Sequence, residues 1–168
     1  MSEIRTSLDE RLEEIETALL DMAEEVAVRI GEVTSALLEG DVNAADELIR
    51  SDDDMDLASM QVAENCIDTI VREAPVAGDL RLVLSAMHLN SEIERSGDLT
   101  TNIAKAIGRL QGARTDERVR DLIVQMSVQA QLLFQRRVRP ATVQTVCGQW
   151  KILRNNNFQP FRIDTDGF

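Results

Sequence analysis

The sequence predicts an all-α protein: an antiparallel three-helix bundle, followed by a fourth helix and an irregular C-terminal tail. Three observations predict it. Apolar residues recur at gaps of three and four over long stretches, the periodicity of a helix face. The stretches are separated by only a few residues, at Gly40-Asp41 and around Pro75 and Gly78, and helices joined so briefly run antiparallel. No segment shows a competing strand signal.

The first seam is Leu8, Leu12, Ile15, Leu19, Met22, Val26, Ile30, Val33 and Leu37, about eight turns. Ser7 and Glu10 have capping-box spacing at its start, and Gly40 supplies the stop, so a helix is expected over about 7–38. A second pattern runs from about Val42 to Glu73. It carries one stripe at Leu48, Met55, Val62 and Cys66 and another at Leu57, Met60, Ile67 and Ile70, which implies two packing neighbours. The third begins near Asp79 and continues to about Leu110, with its seam at Leu82, Ala86, Leu89, Ile93, Ser96, Thr100, Ile103, Ile107 and Leu110. Helices of this length make a bundle about 45 Å long. A fourth helix opens at Thr115, whose hydroxyl can cap it, and Val119, Leu122, Met126 and Leu133 form its apolar face. Residues 1–112 therefore read as one three-helix unit, 113–137 as a further helix, and 138–168 as a tail.

Charge divides the chain at a similar place. Residues 1–134 hold 28 acidic and 12 basic residues, whereas 135–168 hold 2 and 6, and all four phenylalanines and the tryptophan lie at or beyond position 134. The tail reads either as the product of a frameshift or truncation or as a lineage-specific extension; a basic, aromatic binding arm is a third reading. The net charge of −12 disfavours nucleic acid and anionic lipid as direct partners. Cys66 and Cys147 lack CxxC spacing and read as reduced thiols. The charged N-terminus lacks the apolar stretch of a signal peptide, and no apolar run reaches the roughly 18 residues of a membrane span. A cytoplasmic location without membrane insertion is the expectation.

Chemistry concentrates on the third helix. Glu94 and Asp98 stand four residues apart and share a face, roughly 120–160° from the middle of the seam. Asn90, Ser91, Thr101, Asn102 and Lys105 lie near the same direction, which predicts an oxygen-rich outer strip of the kind that hard cations, iron and manganese prefer. A solvated acidic pair is the plainer explanation of the same spacing. Gly97 is less ordinary, because glycine inside a helix costs about 1 kcal/mol relative to alanine; close approach of another group to its backbone would account for it. Asp52 and Asp56 repeat the four-residue spacing on the preceding helix. Both those aspartates and Glu94 lie about 20 residues from Pro75, so an antiparallel pair of helices brings them to one level. Asp53 and Asp54 read as a solvated patch. His88 has no glutamate three residues before it, so the Glu-x-x-His pair of di-iron carboxylate enzymes is absent, and no nucleophile motif or phosphate loop is visible. The chain reads as a non-enzyme.

The segment Pro75-Val76-Ala77-Gly78-Asp79-Leu80-Arg81, followed by Glu94-Arg95-Ser96-Gly97-Asp98-Leu99 and Asn102-Ile103-Ala104, closely resembles the signature of the PhoU family, proteins of the phosphate-specific transport system. Ala44-Ala45-Asp46-Glu47-Leu48-Ile49, leading into Asp52 to Asp56, fits the preceding helix. The resemblance implies a fold of two three-helix repeats, each bearing a Glu/Asp-x-x-x-Asp motif that holds a surface cluster of iron or other divalent or trivalent metal. It also implies a cytoplasmic, often dimeric, negative regulator of phosphate uptake that acts through the phosphate ABC transporter and a sensor histidine kinase. Glu94 and Asp98 inherit the metal-ligand role, with Asp52 and Asp56 as further candidates. The similarity covers about residues 5–134, so the sequence is read as a truncated or frameshifted member with one complete repeat. That leaves the fourth helix short of bundle partners and predicts self-association or a loosely held helix. Two other readings compete: a helical oligomerisation or adaptor module, or an inactive truncated copy; a carboxylate-bridged metal oxidase ranks last for want of histidine ligands.

Overall fold

The computed structural model describes residues 2–110 and 116–137, with side chains over 7–110 and 116–134. It contains five helices among the described residues: α1 (Ser2–Glu39), α2 (Val42–Arg50), α3 (Asp52–Glu73), α4 (Gly78–Ile107) and α5 (Glu117–Arg137). The all-α class is as expected. The Thr115 cap, the Gly112 boundary and the 138–168 tail lie outside the described residues.

No glycine or proline precedes Gly31, so nothing stops α1 from extending past the anticipated start at residue 7. It runs 38 residues, about 57 Å. Ser7 is therefore interior to the helix and caps nothing; its hydroxyl donates instead to Glu73 Oε1 at 3.0 Å. Arg11 reaches the same carboxylate at 3.3 Å, tying the start of α1 to the end of α3. At the other end, Gly40 takes φ +70° and the Asp41 amide donates to the Ala36 carbonyl at 2.9 Å, a Schellman-type stop. Asp41 then caps α2, its Oδ1 accepting from the amides of Asn43 and Ala44 at 2.9 and 3.1 Å.

The anticipated continuous helix over 42–73 is two helices that meet at Ser51. The break places Asp52, Asp53 and Asp54 in the first turn of α3, where carboxylates are favoured by the helix dipole and aspartate's poor interior propensity is not penalised. Arg29 of α1 stabilises the junction. It is 2 % exposed, and its guanidinium donates to the Ser51 carbonyl, to Glu25 at 3.1 Å and to Asp52 Oδ1 at 3.5 Å. Asp52 Oδ1 also accepts from the Thr101 hydroxyl of α4 at 2.9 Å. One buried cation thus links α1, the α2–α3 junction and α4.

Helices α1, α3 and α4 pack against one another, and α2 closes the far end between α1 and α4. Ile15, Leu19, Met22, Val26, Met55, Val62, Cys66, Val83, Ala86 and Ile93 form the main core; Val33, Ala36, Ala45, Leu48, Ala104 and Ile107 form a second cluster under α2. The α1 seam and the Leu48–Cys66 stripe are buried as anticipated. The other stripe departs: Leu57, Met60 and Ile67 are exposed, because α3 has neighbours on only part of its circumference. On α4 the buried face is also rotated from expectation. It comprises Val83, Ala86, Asn90, Ile93, Gly97, Thr100, Thr101, Ala104 and Ile107, while Ile103 and Leu110 are exposed. Small and hydroxyl-bearing residues let α4 approach closely: a Cβ on Gly97 would lie 3.4 Å from Met55 Cγ and 3.9 Å from Val26 Cγ2.

The α3–α4 turn is made by Ala74 (φ 44°) and Ala77 (φ 51°) rather than by Gly78. Helix α5 starts at Asp116, whose Oδ1 accepts from the Arg118 amide at 2.8 Å, and lies along α1. It docks through polar contacts. Arg120 donates to the Leu38 carbonyl at 2.7 Å, the Ser127 hydroxyl donates to the Ile30 carbonyl at 3.5 Å and accepts from Gln131 of the same helix, whose amide lies beside Gly31, and Phe134 packs against the core. The anticipated apolar face at Val119, Leu122, Met126 and Leu133 points away, 45, 51, 71 and 55 % exposed.

Arg29→Met is expected to destabilise the fold by about 3 kcal/mol, since it leaves the Ser51 carbonyl and Asp52 without their cation. Urea denaturation followed by helical circular dichroism measures this. Ala74→Gly should act oppositely, gaining up to about 1 kcal/mol by removing a side chain from a left-handed backbone position.

Candidate metal centre

Three carboxylates converge where α3 passes α4. Asp56 lies one turn after Asp52 on α3, and Glu94 and Asp98 occupy successive turns of α4; one oxygen from each of Asp56, Glu94 and Asp98 lies within 4.8 Å of the others. The antiparallel path through the 74–77 turn brings these levels together, as the distances from Pro75 predict. Glu94 is half-buried, and Asp56 and Asp98 are exposed.

Asp52 plays a different part. Its Oδ1 is engaged by Arg29 and Thr101, so it anchors the helix junction and stands outside the three-carboxylate group, contributing charge to it from one turn away. Asn90 and Thr101, anticipated on the outer strip, are buried. Asn90 Nδ2 donates to the Ser59 carbonyl at 2.9 Å and to the Ser59 hydroxyl at 3.1 Å, joining α4 to α3 one turn before Glu94. His88 is exposed. Arg29, which orders the α3 start, escaped sequence reasoning because one arginine beside an apolar seam looks like a solvated residue; the four nearby aspartates were the available signal.

Burial pushes the Glu94 carboxyl above its ordinary pKa, and the charges of Asp98, Asp56 and Asp52, together with a hydrogen bond to Asp98, push it the same way. Like charges raise a carboxyl pKa in this way where too little positive charge stands between them. The nearest arginine on α4, Arg95, pairs with Glu92 instead, at 3.5 Å. A bound cation would supply what the cluster lacks. The donor set is all oxygen, which suits magnesium, calcium, manganese or iron and not the softer metals. Oxygens bound to one such ion lie roughly 3–4 Å apart, so modest rotation of the exposed Asp56 and Asp98 side chains would close the group. Grooves of about 960 Å³, between α1, α2 and α5, and about 610 Å³, between α1 and α3, are lined by other residues.

The PhoU domain profile matches residues 19–107, which spans the core bundle and all four acidic candidates. This chain belongs to the PhoU family. It is 37 % identical over 98 residues to a phosphate-specific transport system accessory protein PhoU homolog of Aquifex aeolicus, covering 58 % of this chain and 44 % of that one. It is 33 % identical over 106 residues to PhoU homolog 1 of Mycobacterium tuberculosis, covering 63 % and 48 %. The chain thus spans about half the length of the curated relatives it matches. The crystal structure of the phosphate transport system regulatory protein PhoU from Streptococcus pneumoniae superposes with a TM-score of 0.64 at 24 % identity, over 88 % of this chain and 72 % of that one, which shows a shared fold.

A raised carboxyl pKa gives a definite sign. Protonation is favoured in the folded state, so the metal-free protein loses stability as pH rises from the unfolded glutamate pKa through that of folded Glu94. Glu94→Gln is expected to abolish this loss and to leave the protein more stable than wild type at neutral pH, as read by thermal melts over a pH series in chelator.

Proposed function

We propose that this chain is a regulatory module of phosphate uptake that restrains the phosphate-starvation response by binding the phosphate ABC transporter and its sensor histidine kinase from the cytoplasmic side. The observation that carries the reading is the coincidence of two facts: the family model covers residues 19–107, and Glu94 and Asp98 within it meet Asp56 at one point on the α3–α4 surface. The relatives named as phosphate transport accessory proteins support the system in which it works. A non-catalytic role fits an exposed carboxylate group with no neighbouring nucleophile–base pair.

In this reading Asp56, Glu94 and Asp98 hold a hard cation or a small iron cluster, with Asp52 as the residue that fixes the start of α3. The ion neutralises mutual repulsion and ties α3 to α4, making the outer face of the bundle a defined contact surface. A ligand that binds the folded state alone stabilises it by about 2.7 kcal/mol at 100 times its Kd. Manganese, magnesium and ferric ion added to chelator-treated protein should therefore raise its melting temperature, and Glu94→Ala with Asp98→Ala should remove the rise.

The cellular experiment uses a phosphate-starvation reporter at high phosphate in cells that lack their own PhoU. Restored repression by this chain, and its loss in the Glu94→Ala, Asp98→Ala variant at equal abundance, supports the proposal. Repression by a full-length relative but not by this chain identifies an inactive copy. Repression that survives the double substitution assigns the activity to the helical surface and not to the carboxylates.

A further inference from the structure

The groove of about 610 Å³ between α1 and α3 has an apolar floor of Met22, Met55, Ala58 and Val62, and Leu57 stands exposed at its edge. Its rim is acidic. Asp21, Glu25 and Asp54 are all exposed, and among the described residues only Glu25 of the three has a cationic partner, the buried Arg29. Along α1 the rim continues from Asp21 to Glu10, Glu13 and Glu14. Both walls belong to the bundle that the family model covers, and no described residue of α5 lines the groove. An apolar trough edged by carboxylates suits a segment that carries large apolar side chains and cations together.

We infer that this groove is the docking site of residues 150–154 of the same chain, Trp150-Lys151-Ile152-Leu153-Arg154. The apolar side chains lie over Met22, Met55 and Leu57, and the two cations meet Asp21 and Asp54. Charge selects the occupant. Residues 1–134 hold 28 acidic and 12 basic residues, whereas 135–168 hold 2 and 6, so the two parts of the chain attract each other. Within 138–168, residues 150–154 are the one run of five with three large apolar residues and two cations. Methionine sulfur beside an indole ring is a favourable pairing. The path of the chain also fits. Arg120 and Ser127 bond the carbonyls of Leu38 and Ile30, so α5 runs antiparallel to α1, and helix rise sets its end at Arg137 level with about residue 20 of α1. Glu25 and Ser51 line both this groove and the one beneath α5, so the two adjoin. From Arg137, residues 138–149 reach up to about 40 Å, more than the roughly 17 Å between Ala18 and Arg29 along α1. Tethering of this kind gives an effective concentration on the order of millimolar, which favours the chain's own segment over one supplied in trans. The inference is independent of the carboxylate centre, which lies on the side of α3 that faces α4.

Trp150 is the only tryptophan, so its fluorescence in the full chain reports the groove directly. Docked, it should emit to the blue of its emission in urea and be shielded from acrylamide, and both signs should persist on dilution. Leu57→Glu, at an exposed position, should shift the emission to the red and raise the quenching constant towards its value in urea, with helical circular dichroism unchanged. Asp21→Arg with Asp54→Arg should do the same, and adding Lys151→Glu with Arg154→Glu should restore the shielding. A Trp150 as accessible in the native chain as in urea overturns the inference, as does shielding that ignores the substitutions in the groove or fails to return on charge reversal. Shielding lost on dilution also overturns it, because the occupant is then the segment of a second copy.

Discussion

The arrangement of this bundle depends on one buried cation. Arg29 rises from α1 into a space that three other segments line. The Ser51 carbonyl lies where α2 gives way to α3, the Asp52 carboxylate begins a new helix, and the Thr101 hydroxyl bonds that same carboxylate. Burying a guanidinium is costly unless its hydrogen bonds are met, and here the acceptors come from the point where α2 and α3 change direction. The break at Ser51 and the burial of Arg29 are therefore a single structural event. Without the guanidinium, Asp52 would lose its buried cation; without the break, the guanidinium would not find the Ser51 carbonyl and the Asp52 carboxylate side by side. Because Asp52 is fixed in this way, Asp56 one turn later arrives at a set height on α4, and the carboxylate group inherits its geometry from a residue that does not belong to it.

Large apolar residues at helical spacing were enough to read the fold class, the order of the long helices and most of the α1 and α3 core. The turns were also legible, since Gly40-Asp41 and the Pro75 region announce themselves by backbone chemistry. The misreadings share a cause. The α4 seam was placed on Leu82, Leu89, Ile103 and Leu110 by counting hydrophobicity, whereas the buried face includes Asn90, Gly97, Thr101 and Ala104, which pack by smallness and by hydrogen bonding. Likewise, the α2–α3 break needs no proline or glycine, because Arg29 compensates it from 22 residues away; no local rule detects a partner at that distance. The second stripe of α3 was correctly periodic, yet of its members only Ile70 packs on the core, and the apolar face of α5, expected to lack bundle partners, is exposed. Periodicity states which residues share a face, and not whether anything covers it.

At the carboxylate site, Asp56, Glu94 and Asp98 could be grouped from spacing plus antiparallel geometry alone, because both are set by helix rise. The separation of Asp52 from the group could not. It depends on which of two nearby aspartates Arg29 and Thr101 engage, a choice made by rotamers and by the tilt of α3. The family relationship and the geometry are independent lines that meet at the same α4 positions. Each covers a weakness of the other: the signature does not show that Asp56 is within reach, and the cluster alone resembles many solvated acidic patches.

The tight turn at 74–77 has a mechanical meaning. From that turn, α3 and α4 extend as two arms about 25 Å to the carboxylates, where hydrogen bonds from Asn90 to Ser59 and from Thr101 to Asp52 hold them together a second time. Opening or closing the arms by about 5° moves Asp56 against Glu94 and Asp98 by roughly 2 Å at this radius, about ten times the 0.2 Å within which metal–ligand distances are held. Any cation held by Asp56, Glu94 and Asp98 would therefore be sensitive to the angle between these two helices.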